Sequence, residues 1–424
     1  MRRGLHRAAI FASGIALAIA SLIGSPLSAS ADPAVAVIVV LRDGADAHGA
    51  AAAHGRAYGA DVSFVYTSAL RGYAARVPAD RLARLASDPD VAFVSEDRAV
   101  STTDGHAGEL PYGVDRIDGE SSTKAAANNT GPAVAVIDTG SGPHKDLNIA
   151  GGKNCSTGKS YNDGNGHGTH VAGTIAARKN AAGVVGVLPG APVYSVRVLD
   201  NRGSGSWASV ICGIDWVTAN AAAKNIVVAN MSLGGSGADG GDCLTTAEAL
   251  QKAICNSVAV GVTYVVAAGN SGADMKGFVP AAYDQVLSVT AIADFNGAAG
   301  GGAAATCRTD VDDTAADFSN FTTKGHPDEA HTIAAPGVCI KSTWKGGGYN
   351  TISGTSMASP HAAGTAAVCI ASGACAGLGP SGIIAKLRAD AAARPASYGF
   401  AEDANQVTAP GSRYYGYLIW AGGY

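Results

Sequence analysis

Five near-continuous apolar runs, Ala133–Ile137, Val193–Val198, Ile226–Ala229, Thr263–Ala267 and Val286–Val289, punctuate the chain after Tyr112, with Ala-rich helical stretches between them. A strand with one face in water alternates apolar and polar residues. An unbroken run needs cover on both faces, which a parallel sheet flanked by helices provides. The pattern predicts a three-layer α/β domain, a mostly parallel sheet with helices on both faces. In open sheets of this kind ligands bind beyond the carboxyl ends of the strands. Polar residues directly after the runs are therefore the candidates for chemistry.

The chain ahead of these runs is built differently. Ala34–Leu41 is β-rich, Ala45–Ala60 reads as helical, and Val62–Thr67 and Arg71–Val77 alternate like strands. Pro78 suits a helix start, Leu82 and Leu85 share one helical face, and Val91–Val94 supplies a last strand. The order βαββαβ predicts a small α+β unit of ferredoxin-like type. The polar stretch Ser101–Gly108 suits an exposed linker and a processing site. The first 31 residues combine basic Arg2, Arg3 and Arg7, an apolar stretch from Ala8 to Gly24, and Ala29-Ser30-Ala31, the layout of an export signal cut after Ala31. The sequence thus divides into 1–31, 32–103 and 104–424.

Composition excludes several classes. With 47% hydrophobic and 15% charged residues the chain is not a disordered polyelectrolyte. A net charge of −4 without a Lys/Arg run gives no footprint for nucleic acid or an anionic membrane. All eight cysteines follow residue 150. An even count in an exported chain favours disulfides, up to four, and zinc is disfavoured because no CxxC pair occurs. The 57 glycines form no collagen-like repeat, so they belong to folded turns.

Three polar stretches stand out: Val136-Ile137-Asp138-Thr139-Gly140, Gly166-His167-Gly168-Thr169-His170-Val171-Ala172-Gly173 and Gly354-Thr355-Ser356-Met357-Ala358-Ser359-Pro360-His361. They supply a carboxylate, an imidazole and a hydroxyl. A serine hydroxyl is a weak nucleophile that needs a base within hydrogen-bond reach, itself oriented by a third group. Ser356 precedes an Ala-rich helical stretch, so its hydroxyl stands at a helix N-terminus, where developing negative charge is favoured. Singly, each residue has an ordinary role: Asp as a turn or cap, Ser as an N-cap, His in the core.

In the order Asp, His, Ser, these stretches closely resemble the signature motifs of the subtilisin-like serine peptidases, the subtilases. The resemblance extends to Asn162–Gly173, Gly186–Gly205, Asn230-Met231-Ser232-Leu233-Gly234-Gly235 and Ala267-Ala268-Gly269-Asn270, and residues 34–100 resemble the family's inhibitory prodomain. It implies Ser356 as nucleophile, His167 as general base, Asp138 as the residue that orients it, and Asn270 as oxyanion-hole donor. His170 and His361 are the rival bases. It also implies that Gly203-Ser204-Gly205-Ser206 and Ser232-Leu233-Gly234 sandwich an extended substrate. Ser232–Gly234 and Ala267, Ala268 and Gly269 would wall an uncharged slot for a bulky apolar or aromatic residue before the cleaved bond.

The expected activity is that of a secreted, self-processing serine endopeptidase, a monomer acting on peptide and protein substrates and inhibited by its own prodomain. It would have no nucleic-acid partner, no membrane anchor and no catalytic cofactor, with processing between about Val100 and Leu110. The alternatives are a catalytically silent binding protein on the same scaffold and an esterase using the same triad. Disulfides of proteinase K-like relatives do not carry over, and the local pairs Cys243–Cys255 and Cys369–Cys375 are the simplest. Subtilases commonly bind structural calcium, yet Thr332 stands where an Asp is expected. Asp310, Asp312 and Asp313 are the substitute carboxylates, against a solvated acidic loop.

Overall fold

The computed structural model describes residues 34–102, 111–180, 183–406 and 412–424. Residues 1–31 and most of the linker lie outside these, as do their expected signal and processing roles. The N-terminal unit runs β1 (Ala34–Leu41), α1 (Ala47–Tyr58), β2 (Asp61–Tyr66), β3 (Gly72–Pro78), α2 (Ala79–Ala86) and β4 (Val91–Glu96). Its sheet has the order β2-β3-β1-β4 with every neighbouring pair antiparallel, the ferredoxin-like arrangement read from the sequence. Val37, Val39 and Leu41 of β1 pack with α1 and α2 residues such as Ala50 and Leu85. Ile38 and Val40, on the opposite face, join a second core that includes Trp207 and Ile211. That double burial accounts for the unbroken apolar run of β1.

A short strand β5 (Ala99–Thr102) and helix α3 (Tyr112–Arg116) lead into the large α/β unit. Its first half contains β6 (Ala133–Asp138), β7 (Asn148–Asn154), α4 (His167–Ala176), β8 (Pro192–Arg197), β9 (Ser204–Ser206), α5 (Trp207–Lys224), β10 (Ile226–Met231), β11 (Leu233–Ser236), α6 (Ala249–Ala259), β12 (Thr263–Ala267) and β13 (Phe278–Val279). Then follow β14 (Leu287–Ala293), β15 (Thr314–Ala315), β16 (Thr322–Thr323), β17 (Thr332–Pro336), β18 (Ile340–Trp344), β19 (Gly348–Ile352), α7 (Thr355–Ser372), α8 (Pro380–Ala392) and β20 (Arg413–Tyr414).

The main sheet has the order β15-β14-β12-β10-β6-β8-β7, with β17 also pairing β14. All pairs are parallel except β14 with β15. Each predicted apolar run falls on a strand of this sheet. The core divides between its faces: α4 and α7 residues such as Ile175 and Ala363 on one side, α5 and α6 residues such as Ile214 and Ile254 on the other. Among the described residues no helix is long and apolar enough to cross a membrane.

All eight cysteines pair. Cys243–Cys255 and Cys369–Cys375 form as expected from their spacing, and Cys155–Cys212 and Cys307–Cys339 join segments farther apart in the chain.

Candidate active site

Asp138 is the last residue of β6 and is fully buried. Its Oδ1 accepts from Thr139 N–H at 2.6 Å and lies 2.8 Å from His167 Nδ1. Burial pushes the Asp138 carboxyl up, while the His167 imidazole and the Thr139 N–H pull it down. His167 opens α4, and close backbone contact brings it there: a Cβ at Gly168 would lie 2.0 Å from the Gly140 carbonyl oxygen. Only glycine lets the helix start sit on the strand end.

Asp163 fixes this junction. Its Oδ1 accepts from Thr139 Oγ1 at 2.9 Å and from Asn165 and Gly166 N–H at 2.8 Å each. Its Oδ2 accepts from Thr169 N–H at 2.8 Å and Thr169 Oγ1 at 2.6 Å. Thr139 Oγ1 in turn accepts from Gly168 N–H at 3.0 Å. One carboxylate caps the first turn of α4 and ties it to the end of β6.

Ser356 is the second residue of α7, which packs on α4 and on the carboxyl-terminal half of the sheet. Its hydroxyl donates to the Ser232 carbonyl at 3.1 Å, and Ser232 Oγ donates back to the Ser356 carbonyl at 2.8 Å. Asn230 extends the chain, donating to Ser232 Oγ at 2.9 Å and accepting from Ser359 Oγ at 2.8 Å. These bonds hold the start of α7 against the end of β10. Asn270 joins it from β12: its Oδ1 accepts from Thr355 N–H at 2.9 Å and Thr355 Oγ1 at 2.7 Å. With the oxygen taken up, the Asn270 amide presents its NH₂ away from Thr355.

The two rival histidines are locked in the core. His170 Nε2 bonds the Ile340 carbonyl at 2.8 Å and His361 Nδ1 bonds the Met357 carbonyl at 2.9 Å. Burial pushes His170 down to about 3 and His361 to about 4, so both are neutral imidazoles.

Beside this centre, β5 lies antiparallel between β9 and β11. Val100 pairs Gly205, and Ser101 pairs Ser204 on one side and Gly234 on the other. Thr102 pairs Leu233. The residues expected to sandwich a substrate thus already hold a strand of this chain. Gly203 stands outside the strand, in the turn that starts it, its N–H on the Asp200 carbonyl at 3.0 Å. The Ser232 side chain faces the Ser356 backbone, not the strand.

Ala267 ends β12, and Ala268 and Gly269 follow it. The Ala268 carbonyl accepts from Asn320 Nδ2 at 2.9 Å and Gly269 N–H donates to Thr355 Oγ1 at 3.1 Å. A Cβ at Gly234 would lie 2.4 Å from the Phe278 ring, and one at Gly269 would lie 3.0 Å from it. The ring therefore lies against both walls of the slot.

A profile of the subtilase family matches residues 129–397, the span that contains all of these groups except β5. The chain belongs to the subtilase family. A profile of peptidase inhibitor I9 matches residues 36–103. The chain is 38% identical over 282 residues to M-protease of Shouchella clausii (strain KSM-K16), covering 66% of this chain and 64% of that protein. It is 39% identical over 288 residues to a thermostable alkaline protease of Halalkalibacterium halodurans, covering 68% and 69% respectively. The chain therefore spans about 64% of the length of the first of these relatives. A crystal structure of a cold adapted subtilisin-like serine proteinase superposes with a TM-score of 0.53 at 32% identity, covering 73% of this chain and 97% of that one.

Within this subtilase, three residues of the site escaped the sequence reading. Asp163 sits in the Asp-Gly-Asn-Gly stretch ahead of His167, where an Asp before a helix is a cap signal. Asn320, whose Oδ1 accepts from Ser271 and Ala273 N–H at 2.9 and 3.1 Å, anchors the Asn270 loop from a distant segment. Phe278 reaches the slot through the fold alone.

The calcium expectation at Asp310, Asp312 and Asp313 is not supported by their surroundings. Asp312 accepts from Phe295 and Ala303 N–H, and Asp313 from Gly300 and Gly301 N–H and from Arg116. Asp310 accepts from Arg308 and from Asp317 N–H. These carboxylates serve donors, and Gly300, Gly301 and Gly302 take positive φ in the loop that wraps them.

Proposed function

We propose that this chain is the precursor of a secreted serine endopeptidase that hydrolyses peptide bonds through an acyl-enzyme. Ser356 Oγ attacks the scissile carbonyl and His167 Nε2 takes its proton. Asp138, on Nδ1, holds the tautomer and stabilises the imidazolium. The proton passes to the leaving amine, and water repeats the sequence on the ester. Asn270 Nδ2 and the Ser356 N–H at the start of α7 stabilise the oxyanion.

The observation that carries this reading is β5. An extended segment that runs into the start of the polar linker fills the slot between β9 and β11 by main-chain pairing, as a product's acyl side would. Sequence-tolerant main-chain pairing supports broad specificity, and it disfavours an esterase. An intact Asp138–His167 pair beside Asn270 and Ser356 disfavours a silent binding protein.

In this reading residues 1–31 are an export signal, 32–103 an inhibitor and folding aid, and 104–424 the peptidase. Several contacts support the inhibitor role. Asp215 on α5 accepts from Thr67, Ser68 and Ala69 N–H, and Asp97 accepts from Ala208 N–H at the start of α5. Tyr66 donates to the Ala208 carbonyl and Arg98 pairs with Glu248. The residue before the cleaved bond is apolar. Because Phe278 lies against Gly234 and Gly269, the slot suits short apolar side chains, a narrower expectation than the bulky ones the motifs alone suggest.

The test is labelling of the matured protein with a serine-directed phosphonate, followed by a peptide library. Labelling at Ser356 and cleavage after Ala, Val or Leu are expected. Unlabelled Ser356 with no peptide hydrolysis would overturn the activity, and a profile dominated by Arg or Lys would overturn the specificity.

A further inference from the structure

The amino ends of β14 and β17 lie at the edge of the sheet opposite the Asp138 end, and a cluster there plays no part in the chemistry above. Asp284 precedes β14, while Asp328 and His331 lie on the 3-10 turn Pro327–His331 that feeds β17. His331 Nε2 lies 3.7 Å from Asp284 Oδ1 and 3.7 Å from Asp328 Oδ1. Each of the three residues offers one ligand atom, and these atoms all lie within 4.8 Å of one another. His331 and Asp328 are 3% and 4% exposed, whereas the Asp284 side chain is 58% exposed.

Neither His331 nitrogen has a hydrogen-bond partner among the described residues, nor has Asp328 Oδ2. Buried polar atoms are seldom left this way. The 3.7 Å separations are too long for hydrogen bonds. They approach the edge of a tetrahedron, roughly 3.4 Å, for ligands about 2.1 Å from a central ion. His326 Nδ1, 3.1 Å from Asp328 Oδ1, flanks the carboxylate from outside the cluster. A cavity of about 370 Å³, lined in part by Asp284, Gln285, His331 and Ser381, opens onto the cluster and gives an ion a route in.

We propose that Asp284, Asp328 and His331 bind one divalent transition-metal ion of the zinc class, with water from the cavity completing the coordination. An imidazole with two carboxylates matches such an ion, whereas calcium takes six to eight oxygen ligands that this cluster does not offer. The ion would tie the entries of two adjacent parallel strands together. The site is structural and stands apart from the triad.

The experiment is calorimetric titration of full-length Ser356→Ala protein, freed of metal by chelation, with zinc chloride and in parallel with calcium chloride. One equivalent of zinc, bound at micromolar affinity or tighter, with a higher unfolding temperature in its presence, is expected. Asp284→Asn changes an exposed side chain, so the protein folds and its zinc affinity falls at least about 10-fold, in the range seen when metal-site partners are lost. His331→Gln abolishes binding. No saturable zinc binding would overturn the proposal, as would equal affinity in Asp284→Asn, or calcium binding in preference to zinc. Should His331→Gln misfold, Asp284→Asn decides alone.

Discussion

Asp163 offers the sharpest perturbation of the site short of its reacting groups. Five donors converge on its two oxygens: Thr139 Oγ1, Thr169 Oγ1 and the N–H groups of Asn165, Gly166 and Thr169. Asp163→Ala orphans all five in a region where Asp163 itself is 9% exposed. At about 1 kcal/mol for each buried donor left unmatched, the sum is about 5 kcal/mol, and water entering the gap brings it to roughly 3–4 kcal/mol. That is a large part of a typical stability of about 5–15 kcal/mol. Asp163→Asn keeps one acceptor but turns an NH₂ toward Thr169, so a loss of about 2 kcal/mol is expected. Because Thr139 and Gly168 set the approach of α4 to β6, kcat should also fall about 10–100-fold through misplacement of His167. Urea unfolding in a Ser356→Ala background, followed by circular dichroism, reads the stability, and hydrolysis of a peptide substrate by the otherwise wild-type variant reads kcat. An Asp163→Ala protein within about 1 kcal/mol of its parent, with kcat unchanged, would refute the reasoning.

Asn270→Ala should lower kcat by about 10²–10³ with little change in KM, the magnitude known for loss of this donor in subtilisin itself; steady-state kinetics would show it. Asp215→Ala removes the acceptor of three backbone N–H groups and should weaken inhibition of the matured enzyme by added prodomain about 10–100-fold, read as a rise in Ki. Phe278→Gly should open the slot, so that a library profile moves from short apolar residues toward Phe and Tyr; an unchanged profile would remove Phe278 from specificity. His170 and His361 are held neutral by burial, at about 3 and about 4 against 6.5 in the unfolded chain. The unfolded state therefore binds more protons as pH falls below about 6.5, and stability is lost progressively toward pH 4. Unfolding midpoints of the Ser356→Ala protein between pH 4 and 8 would show this slope, and a flat profile would contradict it.

Much of the fold was legible because its strands are covered on both faces. Unbroken apolar runs mark such strands wherever they occur, and the five runs all fall in the parallel sheet. The same signal in Ala34–Leu41 carried more than a strand: Ile38 and Val40 are apolar because the sheet of the N-terminal unit packs on the large one, a partner that local pattern does not name. The positions of Asp138 at a strand end and of His167 and Ser356 at helix starts were legible because each sits in a contiguous motif where strand, turn and helix meet. Phe278 and Asn320 were not, since each reaches the site from another segment and carries no local mark. The surroundings of Asp310, Asp312 and Asp313 were not legible, because spacing does not reveal that N–H donors of a glycine loop and two arginines engage the carboxylates. The 32-residue Cys307–Cys339 pairing was likewise hidden, whereas short-range pairs follow from chain proximity alone.

On the proposed function, Ser356 works as a nucleophile on this chain's own linker before it works on other proteins. Intact-mass measurement of wild-type and Ser356→Ala precursor, each synthesised without any other peptidase, tests it most directly. The wild type should resolve into two fragments parted between about Val100 and Leu110, which remain associated through the strand held by β9 and β11, and Ser356→Ala should stay whole. Cleavage of Ser356→Ala at the same bond and the same rate would contradict the account.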